Sequence, residues 1–66
     1  MNKRIRELAE QAERYADENF KGEPNWSEAY ESKFAELIIR ECMNIADRIS
    51  AYDVMDDIAQ RFGVDL

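Results

Sequence analysis

The chain has 66 residues, enough for one small domain spanning 1–66 and too few for a second. Apolar residues make up 45% and charged residues 36%, with only two Gly and one Pro, which excludes collagen-like, low-complexity and proline-rich disordered chains. Nine Lys and Arg against fifteen Asp and Glu leave a net charge of −6, the wrong sign for a protein that neutralises the phosphates of duplex DNA.

The charge is unevenly spread. Residues 1–21 carry five of each sign, while 22–44 and 45–66 each hold five acids and two bases, a net of −3 apiece. No apolar run approaches the roughly 18–20 residues that a membrane helix needs. The basic opening Met1-Asn2-Lys3-Arg4-Ile5-Arg6 leads into Glu7 and Glu10 rather than into an apolar signal-peptide core. The expectation is a soluble, cytoplasmic protein with neither membrane nor duplex DNA as a partner. The absence of His and the single Cys42 weigh against internal disulfides, zinc sites and His-based catalysis.

Periodicity predicts three helices, about 3–20, 26–49 and 53–62, an all-α fold with a long central helix. In the first, Ile5, Leu8, Ala9, Ala12, Tyr15, Ala16 and Phe20 recur at three- and four-residue steps. Asn2 is placed to cap it, and Arg6, Glu10 and Arg14 make opposite-charge pairs four apart on the wet side. Lys21-Gly22-Glu23-Pro24 ends it, since Gly22 suits a left-handed C-cap and Pro24 does not continue a helix.

The second helix begins near Asn25, which with Glu28 resembles a capping box, Ser27 being a rival cap. On a wheel turning roughly 100° per residue, with Phe34 at zero, Ile45 falls near roughly 20°, Ile38 40°, Ile49 60°, Cys42 80°, Ala35 100°, Ala46 120°, Ile39 140° and Met43 180°. Leu37 extends the arc the other way, to a total of roughly 240°, far beyond the roughly 100° stripe that one partner face covers. One amphipathic helix and a short third helix cover only part of it, and so short a chain has a marginal core. The expectation is a homo-oligomer built on Phe34, Ile38, Ile39, Cys42, Met43, Ile45 and Ile49; the alternative is a monomer with Ile39 and Met43 exposed.

The apolar positions Met55, Ile58, Ala59 and Phe62 lie roughly 130° away from that stripe on the same wheel, so the helix should break near Ser50–Asp53. Ser50 or Asp53 is placed to cap a third helix, which should stop at Gly63 with Val64 folded back on its last turn.

Little here reads as catalysis. Asp53, Asp56 and Asp57 form the densest acid cluster, but acids in a first helical turn are explained by the helix dipole, and the glycine and distal Glu of a calcium loop are absent. Glu36 and Glu41 flank Arg40 as in an ion-paired helix face. Cys42, beside Ile38, Ile45 and Ala46 on the apolar arc, reads as a small buried hydrophobe rather than a nucleophile. With no Gly-rich phosphate loop, no enzyme, metal or cofactor is expected.

Binding has more support. Trp26 and Tyr30 stand four apart at the start of the second helix, Lys33 follows, Arg40 lies further on, and Arg14 and Tyr15 sit late in the first helix. A ring that stacks a base beside cations that meet phosphates is how small proteins hold nucleotides. The competing reading is that Trp26 and Tyr30 only staple the corner between the first two helices.

Three segments, MNKRIRELAEQA (1–12), KFAELIIREC (33–42) and RFGV (61–64), resemble a family of small, mostly uncharacterised proteins of tailed bacteriophages. Relatives pair such an opening with a KFAELIVREC-like core and an HFGV-like end; Arg61 stands here in place of that His. The resemblance implies a phage accessory product acting in the host cytoplasm, without a catalytic residue to carry over. Together these observations lead to the expectation of a non-catalytic counter-defence protein, a helical oligomer that sequesters a small anionic nucleotide signal. One rival is an acidic inhibitor or adaptor that binds a host protein through Glu28, Glu31, Asp53, Asp56 and Asp57. Another is a structural, virion-associated helper.

Overall fold

In a computed structural model of the chain, residues 2–63 are described. They form α1 (Lys3–Phe20), α2 (Trp26–Arg48) and α3 (Tyr52–Phe62), with no strand among the described residues. The expected all-α, three-helix order is present. α2 ends one residue earlier than expected and α3 begins one earlier.

Local chemistry sets the ends. Asn2 caps α1: its side-chain oxygen accepts from the backbone N–H of Arg4 at 2.7 Å and of Ile5 at 3.3 Å. Gly22, at φ 78°, takes the left-handed turn that stops α1, and Gly63, at φ 66°, does the same for α3. The expected fold-back of Val64 lies outside the described residues.

Two caps differ from expectation. Asn25 occupies the N-cap position of α2, but its side chain makes no capping bond, so the Asn25–Glu28 box does not form. Ser50 does not cap α3 either; it closes α2. At φ 56° it is the described non-glycine residue in the left-handed region. The N–H of Ser50 donates to the Asp47 carbonyl at 3.0 Å and that of Ala51 to the Ala46 carbonyl at 2.8 Å, the paired bonds of a Schellman turn. Ala51 is then the N-cap of α3, without a side-chain cap, and Asp53 falls inside the first turn, where a carboxylate favours the helix dipole.

α2 is the axis of the molecule. Asp17 meets Trp26, Tyr15 meets Lys33 and Arg4 meets Glu41, so α1 and α2 run antiparallel. α3 packs on α2 and makes no packing contact with α1. The buried set is Leu8, Ala9, Ala12 and Ala16 of α1 with Met43 and Ala46 of α2. Alanines dominate it. They let helices approach closely but bury little apolar area each, and among the described residues no large side chain is fully buried.

The wide arc on α2 resolves into separate sectors. Trp26, Lys33 and Glu41, at roughly 260–340° on the wheel, face α1. Met43 and Ala46, at roughly 120–180°, are buried, and half-buried Ile39 lies between them. α3 packs on α2, and Met55, Ile58 and Ala59 are its half-buried residues. Between the two sectors Ala35, Ile38, Cys42, Ile45 and Ile49 face solvent.

Candidate functional site

The hairpin turn brings the aromatic residues together. Trp26 and Tyr30, one helical turn apart, stack with ring centres 5.5 Å apart and planes within 5°. Tyr30 meets Phe34 edge-on at 5.9 Å, and the Trp26 indole N–H donates to the Asp17 carboxylate at 2.9 Å. Each ring thus already has a partner within the chain, the arrangement of a stapled corner. Trp26 and Tyr30 are nevertheless only half-buried, which leaves part of the stack open to solvent. Asp17 was not legible as the partner of Trp26, because the pairing depends on the register of α1 against α2.

The cations divide into two groups. The Lys33 ammonium lies 4.8 Å from the centre of the Tyr15 ring and 4.0 Å from Glu36 Oε1, and the Arg40 guanidinium bonds the same oxygen at 2.9 Å. Two cations therefore share one carboxylate beside an aromatic ring that is itself tilted against Phe20 at 6.2 Å. Arg14 is elsewhere. It lines a shallow depression along the outer side of α1 with Glu10, Glu13, Asp17, Glu18 and Lys21, four acids to two bases. An anion would be repelled there.

A second ion pair ties the start of α1 to α2. Arg4 holds Glu41 through Nε to Oε2 at 3.0 Å and through Nη2 to Oε1, and also bonds Glu7 at 3.1 Å. The Arg4 hydrogen bond holds the Glu41 carboxyl below the usual glutamate range, and the positive charge of Arg48 adds to this.

The expected surface between copies divides. Met43 is 5% exposed and Ile39 half-buried, both within the chain's own packing. Phe34 is half-buried against Tyr30. Ile38, Ile45 and Ile49 are 38%, 55% and 72% exposed, and Cys42 beside them is exposed rather than buried. The reading of Cys42 as a core hydrophobe is thus overturned, because the chain's own packing covers the sectors on either side and leaves this one open.

Asp53, Asp56 and Asp57 are exposed, and among the described residues no three acid or cysteine side chains converge as a metal site would require. No described helix is long and apolar enough to cross a membrane. No protein-family model, curated protein or solved structure matches this chain.

Proposed function

We propose that this chain is a non-catalytic accessory protein that assembles as a homo-oligomer and binds its target as that assembly. The observation that supports the reading is the stripe on α2. Ala35, Ile38, Cys42, Ile45 and Ile49 follow one another at steps of three and four, and every one is exposed in the single chain. Scattered apolar residues on a surface need no explanation, but a run at heptad spacing is the seam of a helix–helix contact. Sedimentation equilibrium tests this. A discrete oligomer is expected, and a monomer at every concentration overturns it.

Within this reading the cargo is a small anionic nucleotide, and the phage resemblance makes it a counter-defence sponge in the host cytoplasm. Support comes from Lys33 and Arg40, which share Glu36, with Lys33 over Tyr15, and from the half-open Trp26–Tyr30 stack earlier on the same helix. Isothermal titration with cyclic and ADP-ribose-type nucleotides should show heat and a saturable site that Lys33→Ala weakens; no uptake of any of them removes the cargo. A second reading, an acidic adaptor for a host protein, is supported by Glu28, Glu31, Asp53, Asp56 and Asp57, all of them exposed. It expects a stoichiometric partner from host lysate that salt releases.

A further inference from the structure

We infer that the α2 stripe is occupied by the same stripe of a second copy, running antiparallel, with the two-fold axis between Cys42 and Ile45. This rests on the self-assembly proposed above and adds its geometry. Ala35, Ile38, Cys42, Ile45 and Ile49 occupy the alternating a and d positions of two heptads, over about 21 Å of helix.

The stripe has sharp limits. Upstream, the same register continues through Glu31 and Glu28, both exposed and acidic. Downstream, α2 stops at the Ser50 turn. The apolar segment is therefore short and bounded, and only some pairings keep it covered.

Orientation follows from the charges. A parallel pair in register would set Glu31 against Glu31 and Glu28 against Glu28 of the two copies, with like charges facing across the seam. An antiparallel pair centred between Cys42 and Ile45 sets Ile38 against Ile49 and Cys42 against Ile45, twice each. Glu28 and Glu31 then project past the end of the other copy's α2.

The flank of the stripe agrees. Glu41 and Arg48 lie on the same edge, one heptad apart. In the antiparallel arrangement that edge meets its own copy reversed, so Glu41 of each chain faces Arg48 of the other. In the parallel arrangement Glu41 would meet the Ala46 side and gain no cation. Glu41 accepts one Arg4 bond on each carboxylate oxygen, and each oxygen keeps a lone pair for a further donor.

Two single-cysteine chains test the arrangement, Ile38→Cys and Ile49→Cys, each with Cys42→Ser. Both positions are exposed, so helicity by circular dichroism should be unchanged. Treated with a short bismaleimide, each chain alone should give little cross-linked dimer, and their equilibrated mixture should give it efficiently. Self-cross-linking of the Ile49→Cys chain would show parallel seams and overturn the inference while leaving self-assembly standing. A monomer by sedimentation equilibrium for the unaltered chain would overturn both. Ile45→Asp, which places a charge in the seam, should raise the dissociation constant about 100-fold with helicity retained. Arg48→Glu should weaken the dimer about tenfold and the exchange Glu41→Arg with Arg48→Glu should restore it; an unweakened Arg48→Glu dimer, or an exchange that fails to restore it, counts against the antiparallel pairing.

Discussion

The two halves of α2 are built on opposite plans. From Trp26 to Leu37 the large side chains are engaged within the chain: Trp26 on Tyr30 and Asp17, Tyr30 on Phe34, Lys33 on Tyr15. From Ile38 to Ile49 the plan inverts, with Ala46 and Met43 buried and Ile38, Ile45 and Ile49 turned outward. A helix that worked alone would bury its isoleucines and expose its alanines, because burial stabilises in proportion to apolar area. The first half is thus organised around the hairpin, and the second around something beyond it.

Breaking the hairpin side should have the largest effect. Ala12 is fully buried, with 0% exposure, on the α1 face that packs against α2. Ala12→Leu adds volume to a close helix–helix approach, and a loss of about 1–3 kcal/mol or more in urea unfolding is expected. Ala12→Gly should cost about 1 kcal/mol through helix propensity alone, so the pair separates packing from propensity. Trp26→Ala comes next. It removes a stacked ring and the indole hydrogen bond to Asp17, and a loss of about 2 kcal/mol is expected. Asp17→Asn keeps an acceptor for the indole and should cost under about 1 kcal/mol. A loss equal to that of Trp26→Ala would mean that the carboxylate charge, not the ring, closes the corner.

Much of this plan was legible in the residues. The bounds of α1 followed from an apolar period that starts after a capping Asn2 and stops before Gly22. The Trp26–Tyr30 pairing followed from a four-residue step. What escaped was whatever depends on how separate helices meet. The wheel shows an arc too wide for one neighbour, but not which of its sectors the chain's own packing covers, so it does not reveal that Cys42 faces outward. Arg14 and Lys33 looked like members of one cationic group, yet Arg14 points along the outer side of α1 and Lys33 lies over Tyr15. The break near Ser50 was legible from the change of apolar face, but its left-handed conformation was not, since serine carries no signal for it as glycine does.

That turn separates the exposed stripe of α2 from α3, and it should be improvable. Ser50→Gly removes the clash between Cβ and backbone at φ 56° while keeping both Schellman bonds. Against this stands the greater freedom of glycine in the unfolded chain. A net gain of about 0.5–1 kcal/mol is expected, seen as a rise of about 2–8 °C in thermal midpoint. A fall would mean that the serine hydroxyl has a role that the backbone geometry does not explain.

The smallest expected effect lies at the other end of the stripe's flank, where Arg4 ties α1 to Glu41. The Glu41 carboxyl is held below its usual range in the folded chain, so the folded state binds its proton less readily than the unfolded state does. The stabilising contribution is therefore complete above the ordinary glutamate value and fades as pH falls through the lower folded one. Both groups face water, and salt screens them. Thermal midpoints of the parent chain and of Glu41→Gln should differ slightly at neutral pH and converge in acid, with the difference shrinking as salt is raised. A gap that instead grew with protein concentration at neutral pH would place Glu41 in a contact between copies, facing Arg48, as well as in its contact with Arg4.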